Sequence, residues 1–257
     1  MINTKLVQTA KKKLIDMHYH AGVGHIGGNL SCIDAMLVIW HEFIKKNDFF
    51  ILSKGHSAGS LYITLNSIGE IKDNQLRSFH SDNTILPGHP PVNKFQSIPF
   101  ATGSLGHGLS ISSGLALASK IQKNKNKIFC FTSDGEWQEG SIWESLLFIE
   151  HQKLSNLTII VDQNKLQGLG KIEEISSLKN LALKLKNFNF SIVEVDGHNL
   201  PQIRKALKIN SLKPKIIILR TIKGNGISFM ENQMKWHYLP LTKELYKQAI
   251  KELSNEK

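Results

Sequence analysis

The feature that most constrains the fold is a regular alternation of apolar and amphipathic segments in the second half of the chain. Short apolar runs predict strands at 127–132, 157–162, 190–195 and 215–221. Segments with helical spacing of apolar residues predict helices at 105–122, 137–151, 176–187 and 199–209. Strands that alternate with helices in this way form a parallel sheet covered on both sides. The sequence therefore predicts an α/β fold with a doubly wound parallel sheet and helices on both faces.

The first half of the chain is predicted to be mainly helical. A first helix is indicated by apolar residues at helical spacing, at Leu6, Ala10, Leu14 and Met17. Ser31–Asp34 has the form of a capping box, which predicts that a second helix begins there and runs to about Ile44. Further along, "FFILS" predicts a strand, and helices are predicted at 57–68, 73–79 and about 241–254. The irregular stretch from His80 to Gly108 is too long for a passive connection, so we expect it to carry function.

Composition indicates the class of protein. The 257 residues are expected to form a single domain, 1–257, with a sizeable core. No apolar run approaches the roughly 18 residues that span a membrane, and the N-terminus is typical of a helix rather than a signal peptide, so a cytoplasmic protein is expected. Only Cys32 and Cys130 are present, which argues against a disulfide framework or a cysteine-based zinc site.

The formal net charge of +11 raises the question of nucleic-acid binding. The basic residues are almost all lysines scattered along the chain, and only Arg77, Arg204 and Arg220 are arginines. This distribution favours a compositional bias on solvated faces over a surface that follows a phosphate backbone.

Gly22, Gly24 and Gly27 in "GVGHIG" have the G-x-G-x-x-G spacing of dinucleotide-binding folds. That motif functions when a strand leads into the glycines and a helix follows them. Here a helix precedes the glycines, which argues against a nicotinamide cofactor.

Asp134 and Asn164 each follow a predicted strand, with one crossover helix between the two strands. Parallel strands end at the same edge, where α/β folds bind ligands. "SDGE" alone would be explained as an ordinary Asp-Gly turn. With Asn164 in the equivalent place after the next strand, a carboxylate and an amide oxygen meet, which suits Mg²⁺ or a similar hard cation. The pair therefore indicates a site for a metal diphosphate.

The segment "SDGEWQEGSIWE", followed by "VDQNKLQ", resembles the thiamine-diphosphate motif. The chain as a whole resembles the N-terminal, diphosphate-binding half of transketolase, in the version encoded as a separate N-terminal subunit. The other matching segments are "GHIGGNLSCID", "FILSKGHSAGSLY", "LPGHPP", "ATGSLGHGLS", "VEVDGHN" and "RTIKGNGISFMENQMKWH". Their number and order cover nearly the whole chain, so the resemblance implies the thiamine-diphosphate-binding fold.

The resemblance implies a role for each matching residue. The divalent metal, Mg²⁺ or else Ca²⁺ or Mn²⁺, would be bound by the side chains of Asp134 and Asn164 and by the main-chain carbonyl of Leu166. Thiamine diphosphate would be contacted by His56, Gly103, Ser104, Leu105, Gly135, Glu136 and Asn164. The backbone amides of Gly135 and Glu136 would meet the diphosphate at the start of a helix, whose dipole favours anions.

The implied catalytic residues are His25, His89 and His237, which would orient the substrate hydroxyls and assist proton transfer, and Glu139, which would link two active sites across a dimer. Histidines that directly follow a glycine also indicate a site: His25, His56, His89, His107 and His198. Such pairs let the backbone approach a ligand closely while an imidazole handles protons.

The reaction implied by the resemblance is transfer of a two-carbon ketol unit from a ketose or ketose phosphate to an aldose. The family's pyrimidine-binding domain, which carries the glutamate that activates the cofactor, has no counterpart in this sequence. We therefore expect half an enzyme, active only with a C-terminal transketolase subunit in an α2β2 heterotetramer. Sugars or sugar phosphates are the expected substrates, with neither nucleic acid nor membrane as a partner.

Four positions depart from the family pattern: Ser133 stands for Gly, His107 for Gln, Leu169 for Asp and Tyr238 for Gly. These substitutions bear on substrate identity more than on reaction class. Two other functions stay open. One is a different thiamine-diphosphate reaction, such as a deoxyxylulose-phosphate-synthase-like condensation or a sulfopyruvate-type decarboxylation. The other is a cofactor-binding regulatory subunit without turnover.

Overall fold

A five-stranded sheet forms the centre of the computed structural model, which describes residues 1–176, 178 and 180–255. The strands are β1 (Phe49–Leu52), β2 (Ile128–Ser133), β3 (Leu157–Gln163), β4 (Leu166–Gln167), β5 (Gly170–Lys171), β6 (Ser191–Asp196) and β7 (Lys215–Arg220). In the main sheet the order is β1-β2-β3-β7-β6, and all four pairings are parallel. β4 and β5 form a separate antiparallel pair.

Helices surround this sheet. They are α1 (Thr4–Ala21), α2 (Ile26–Glu42), α3 (Ala58–Ser67), α4 (Asp73–Leu76), α5 (His107–Ile121), α6 (Gly140–His151), α7 (Ile172–Ile175), α8 (Leu181–Lys184), α9 (Leu200–Lys208) and α10 (Lys243–Asn255). Short 3-10 turns at Gly55–Ser57, Gly135–Gln138 and Met234–His237 interrupt the loops.

Both faces of the sheet are buried, because alternate residues of the central strands point to opposite sides. Phe129, Phe131 and Ile160 pack into one core with residues of α1, α2 and α3. Cys130 and Ile159 pack into a second core with residues of α5 and α6. The predicted doubly wound fold is confirmed by this arrangement.

Because the strands are parallel, their carboxyl ends lie along one edge. Ser133 at the end of β2 pairs with Asp162 of β3, and Gln163 of β3 pairs with Arg220 of β7. The loops that follow β1, β2, β3 and β7 therefore leave the sheet side by side. These loops carry most of the predicted site residues.

The predicted strands agree with the structure to within one residue at each end, and the α3 and α9 predictions agree equally well. The capping box predicted at Ser31 is wrong. Helix α2 begins at Ile26, after His25 in a left-handed conformation with φ of 63°. Ser31 is buried inside the helix, where its hydroxyl donates to the Gly28 carbonyl and to Asp162.

Three further helix predictions need correction. The helix predicted at 73–79 ends at Leu76. The segment predicted as a helix at 137–151 begins with a 3-10 turn, and α6 starts only at Gly140. The helix predicted at 176–187 is absent as one element, because Asn180 has a φ of 56° and caps the short α8 with its side chain. Of that predicted segment, residues 177 and 179 lie outside the described residues.

Within the described part of the chain, no helix combines the length and the apolar character needed to cross a membrane.

Candidate active site at the carboxyl edge of the sheet

Asp134 connects the ends of two neighbouring strands. It follows β2 and is 5 % exposed. One carboxylate oxygen accepts a hydrogen bond from the Gly135 amide, at 2.9 Å. The other accepts from the Lys165 amide, at 2.5 Å, in the turn that follows β3. The structure therefore brings Asp134 into contact with the turn that contains Asn164 and Leu166.

The Asn164 side chain is held in one orientation. Its Nδ2 donates to Asp162 Oδ2, at 3.3 Å, and its Oδ1 accepts from the Leu166 amide, at 3.0 Å. Since a carboxylate can only accept, the amide nitrogen must face Asp162. The amide oxygen is thus turned toward the loop that carries the Leu166 carbonyl.

Burial, reinforced by the negative charge of Asp162, raises the pKa of Asp134 to about 7. A raised pKa means that the ionised carboxylate lacks enough positive charge around it. A cation bound at Asp134 would supply that charge. The described residues contain no group of three His, Cys, Asp or Glu side chains that could hold a metal ion. A metal here would therefore depend on one carboxylate, one amide oxygen and one main-chain carbonyl.

Asp162, near the end of β3, forms a buried ion pair that the sequence did not reveal. Its Oδ2 lies 2.5 Å from Lys54 Nζ, and both side chains are fully buried. Thr221 Oγ1 donates to the other carboxylate oxygen. Burial alone would raise the pKa of Asp162, but Lys54 outweighs that effect and lowers it. The same pairing raises the pKa of Lys54 against the effect of burial.

Glu136 joins the loop before α5 to the end of β2. Its buried side chain accepts hydrogen bonds from the amides of Gly106, at 2.8 Å, and Ser133, at 3.2 Å, and from the Ser53 hydroxyl. Burial raises the pKa of this carboxyl group. The side chain of Glu136 thus organises the site from within, in addition to the backbone role that the resemblance implies.

The loop that contains Gly103, Ser104 and Leu105 lies directly on the end of β1. Thr102 Oγ1 donates to the Leu52 carbonyl, at 2.7 Å. A Cβ on Gly55 would lie 2.9 Å from Gly103 Cα, so this backbone contact requires a glycine at 55. Ser104 is exposed and Leu105 is half-buried.

Four predicted histidines form one cluster. The His25 ring centroid lies 4.9 Å from that of His237, 5.7 Å from that of His56 and 6.4 Å from that of His89. Asn29, which is fully buried, donates to the carbonyls of His25 and His56. This cluster collects residues from the α1–α2 loop, the turn after β1, the long loop and the 3-10 turn before α10.

The clustered histidines are held neutral near pH 7. Burial, together with the charges of His89 and Lys223, lowers the pKa of His25 to about 4. Burial and the charge of Lys223 lower the pKa of His237 to about 3. Burial also lowers the pKa of His56 and His89. Neutral imidazoles can both donate and accept hydrogen bonds, which is what orienting a polyhydroxylated ligand requires.

Lys223 is a second site residue that sequence reasoning missed. It is 2 % exposed, and its Nζ lies 3.2 Å from His237 Nδ1 and 3.3 Å from the Leu166 carbonyl oxygen. Burial and the charge of Lys54 lower its pKa to about 8, against the opposing effect of Asp134 and Asp162. The only signal in the sequence was its place in "RTIKGNG". Asp162 neutralises Lys54, whereas Lys223 forms no ion pair among the contacts described, so its positive charge favours an anion at this edge.

Three of the predicted residues lie apart from this cluster. Glu139 is exposed and lies against Gly106 at the start of α6. His107 is the first residue of α5 and is exposed. His198 pairs with Asp34, at 2.8 Å. Neither His107 nor His198 has a ring contact with the histidine cluster among the contacts described.

The glycines of "GVGHIG" end a helix and allow close packing of the backbone. Gly22 ends α1 with a left-handed φ of 65°, and Gly24 lies against the backbone of Tyr238. A helix does precede them, as the sequence indicated, so the geometry of a dinucleotide-binding motif is absent from this described segment.

Comparison with protein families shows which family the chain belongs to. The model of the transketolase thiamine-diphosphate-binding domain matches residues 2–256. The chain belongs to the transketolase family. The resemblance predicted from the sequence is thereby confirmed, and the matched family domain is a thiamine-diphosphate-binding domain.

Curated relatives of similar length are single components of transketolases. An apulose-4-phosphate transketolase subunit of Phocaeicola vulgatus is 35% identical over 95% of this chain and 91% of its own length. A 6-deoxy-6-sulfo-D-fructose transketolase subunit of a Clostridium species is 36% identical over 91% of this chain and 90% of its own length.

Among solved structures, the transketolase of Campylobacter jejuni superposes with a TM-score of 0.90 at 27% identity. That match covers 98% of this chain but only 43% of the solved chain. This member of the transketolase family thus corresponds to less than half of a single-chain transketolase.

Two of the departures from the transketolase pattern lie on exposed loops beside the histidine cluster. Tyr238 is 57% exposed, and its ring centroid lies 4.8 Å from that of His237. Leu169 is 80% exposed, next to Gly168, which the Tyr238 hydroxyl contacts. Ser133 is instead buried, and its amide donates to Glu136. Tyr238 is therefore an exposed neighbour of the histidine cluster, whereas Ser133 is part of the folded interior.

Proposed function

We propose that this chain is the N-terminal subunit of a two-chain transketolase, which transfers a two-carbon ketol unit from a ketose or ketose phosphate to an aldose. The observation that carries the proposal is similarity over nearly the full length of relatives that are themselves named as transketolase subunits. The cluster of neutral histidines beside a buried, cation-deficient carboxylate supports the same function.

Thiamine diphosphate and Mg²⁺, or Ca²⁺ or Mn²⁺ in its place, fit the residues at the edge. Asp134, Asn164 and Leu166 would hold the metal through oxygen atoms, as a hard dication requires. Burial has already raised the pKa of Asp134, so a dication would stabilise its ionised form. The cofactor itself would be held by His56, Gly103, Ser104, Leu105, Gly135, Glu136 and Asn164. When bound, thiamine diphosphate supplies the electron sink for breaking the carbon–carbon bond.

The chain's own residues would bind and orient the sugar. His25, His89 and His237 present neutral rings around one space, so each can donate to or accept from a hydroxyl without bringing in a fixed charge. The pKa values of about 4 for His25 and about 3 for His237 keep these two rings neutral from about pH 5 upward, and burial lowers the pKa of His89 as well. Positioning of this kind lowers the entropic part of the barrier.

A complementary subunit completes the site in this proposal. The relative from Phocaeicola vulgatus is itself named as one subunit of its transketolase. Leu147 is 60% exposed and Phe148 39% exposed on one side of α6, close in sequence to Glu139 at its start. Exposed apolar residues of this kind are typical of an interface. We propose an α2β2 assembly in the cytoplasm, in which Glu139 approaches a second copy of the chain and the partner subunit supplies the pyrimidine-binding domain.

The test combines activity with mass. Three samples would be assayed with thiamine diphosphate, Mg²⁺ and a panel of ketose donors, including phosphorylated and sulfonated ketoses. They are the purified chain, a candidate C-terminal transketolase subunit, and the mixture of the two. Light scattering would follow the assembly of each sample.

Only the mixture should turn over, at a mass of two copies of each chain, and Asp134→Asn should abolish that turnover. Full activity of this chain alone would contradict the two-chain reading. Cofactor binding without turnover beside a verified partner would favour a regulatory subunit instead.

A further inference from the structure

Asp34, in the middle of α2, joins two residues that come from distant parts of the chain. Its Oδ2 lies 2.8 Å from His198 Nδ1, and its Oδ1 forms an ion pair with Lys11 Nζ at 3.3 Å. The Asp34 and Lys11 side chains are only 4% and 6% exposed. A buried charged group of this kind is strongly constrained in position, because leaving it unpaired is costly.

Both partners of Asp34 hold the same turn, residues 222–225, one at each end. His198 Nε2 accepts a hydrogen bond from the Ile222 amide, at 2.9 Å. Lys11 Nζ donates to Asn225 Oδ1, at 2.5 Å. Between these anchors lies Lys223, whose ammonium group reaches the Leu166 carbonyl and His237. We call Asp34, His198 and Lys11 the turn clamp.

The position of His198 depends on a glycine. Gly197 lies against Thr221 and Leu219, where a side chain would collide, and its amide donates to the Arg220 carbonyl at 2.8 Å. The loop after β6 therefore runs close beside the end of β7. This close approach places the imidazole within reach of both α2 and the 222–225 turn.

The hydrogen bonds determine the tautomer of His198. The Ile222 amide can only donate, so Nε2 must be unprotonated and the proton must lie on Nδ1, facing the Asp34 carboxylate. A carboxylate that accepts from Nδ1 in this way fixes both ring orientation and tautomer. The Asp34 carboxylate is thus required for the ring to hold Ile222.

We infer that Asp34, acting through His198 and Lys11, is a positioning residue that holds Lys223 in the candidate active site. The inference rests on the proposed function, since it assigns Lys223 to the side of the site that meets the anionic cofactor. His198 thereby acquires a role outside the histidine cluster, in which its Gly-His sequence had placed it.

Asp34→Asn is the most direct test, because an amide cannot serve both partners. If the new amide nitrogen at position 34 faces His198, then Nδ1 of the ring must accept a hydrogen bond and the ring proton must move to Nε2. The proton on Nε2 then faces the Ile222 N–H, and that hydrogen bond is lost. If its Nδ2 faces Lys11, a donor opposes an ammonium group. In either orientation one end of the turn is released.

The matched control is Glu42→Gln, which neutralises another partly buried carboxylate on the same helix. Glu42 pairs with Arg204, at 2.8 Å, and serves neither end of the 222–225 turn in the contacts described. Both variants should lose some stability. Only Asp34→Asn should weaken thiamine diphosphate binding, by about ten-fold, as expected for one displaced hydrogen bond to a charged group.

Two measurements distinguish a positioning role of Asp34 toward Lys223 from a role in folding stability alone. Calorimetry with thiamine diphosphate and Mg²⁺, with the complementary subunit present, gives the affinities. Nitrogen chemical shifts of the His198 ring give the tautomer without any ligand. In a Lys223→Met background, Asp34→Asn should cause no further loss of affinity, because the residue through which it acts is gone.

Equal thiamine diphosphate affinities of wild type and Asp34→Asn would overturn the inference. It would also be overturned if Asp34→Asn lowered the affinity as much in the Lys223→Met background as it does in wild type. If Asp34→Asn fails to fold, His198→Phe releases Ile222 while it keeps the Asp34–Lys11 pair, and it should show the same loss. If wild type itself binds no thiamine diphosphate, the proposed function fails, while a His198 proton found on Nε2 would refute the turn clamp independently.

Discussion

The ends of strands β2 and β3 lie side by side, yet their buried aspartates have opposite environments. Asp162 of β3 is matched by Lys54 and by the hydroxyls of Ser31 and Thr221. Asp134, after β2, receives hydrogen bonds only from two backbone amides in the contacts described. The pKa of Asp162 is lowered by Lys54, whereas burial and Asp162 raise that of Asp134 to about 7.

The different environments of the two aspartates indicate that Asp162 serves the stability of the fold and Asp134 serves ligand binding. The charge of Asp162 is balanced by Lys54 within the fold, so Asp162 is part of the core. The other, Asp134, has no ion-pair partner among the residues that the structure describes, and it lies at the edge where α/β folds bind ligands. A buried charge without a partner is unfavourable. Folding alone therefore does not favour an ionised Asp134, and a bound cation would stabilise that form.

The largest effect is expected for the compensated carboxylate. Asp162→Ala leaves Lys54 buried without its counter-ion, so the free energy of unfolding should fall by about 3–5 kcal/mol. Chemical denaturation measures the change. The double variant Lys54→Met/Asp162→Asn should recover more than half of the loss. A loss below about 1 kcal/mol would show that the pair is not part of the core in this sense.

The next effect concerns pH and the unpaired carboxylate. In the proposed site a metal would bind the ionised form of Asp134, whose pKa is about 7. As the pH falls below 7, protons compete with the metal, and the affinity for Mg²⁺ and thiamine diphosphate should fall by up to about ten-fold per pH unit.

Without ligand, the free energy of unfolding is expected to depend on pH in the opposite direction. Because the folded-state pKa of Asp134 lies above its unfolded value, its contribution to stability is present at low pH and is lost as the pH rises through about 7. Denaturation between pH 5 and 8, with and without ligand, checks both trends. In Asp134→Asn both pH dependences should be reduced. An unchanged pH profile in that variant would show that another group titrates.

The smallest effects should divide the histidine cluster. His56→Ala is expected to weaken cofactor binding by a few-fold, about 1 kcal/mol for one lost hydrogen bond. His25→Ala, His89→Ala and His237→Ala should leave cofactor affinity nearly unchanged and lower turnover. Calorimetry and steady-state kinetics of the four variants distinguish these outcomes. A uniform loss of cofactor affinity would contradict the substrate-side roles.

Local patterns in the sequence predicted the sheet because each strand is a short apolar run bounded by turn residues. Asp134 and Asn164 were predictable for the same reason, since each follows such a run. The start of α2 was not, because His25 begins the helix in a left-handed conformation without a side-chain cap. Ser31 instead offered a false capping signal.

The buried partners of the site residues could not be predicted from the sequence. Lys54 and Asp162 are 108 positions apart, and Lys223 lies 57 positions from Leu166. No periodicity links such residues, and only the folded loops bring them together. A shared Gly-His sequence likewise does not show which histidines pack together, since His25 packs against His56 and His89 while His198 pairs with Asp34.

The most direct test of the role of Asp134 is to compare the unfolding and binding of Asp134→Asn with those of wild type. Wild type should be stabilised by Mg²⁺ and thiamine diphosphate together, by about 2.7 kcal/mol at a ligand concentration one hundred times its dissociation constant. Without ligand, Asp134→Asn removes an uncompensated charge but turns its NH2 group toward one of the two backbone amides that Asp134 accepts from, so its free energy of unfolding should stay within about 2 kcal/mol of wild type. At the same ligand concentration it should gain almost nothing. Equal stabilisation of the two proteins by the ligands would contradict the claim that Asp134 is left uncompensated in order to bind a metal diphosphate.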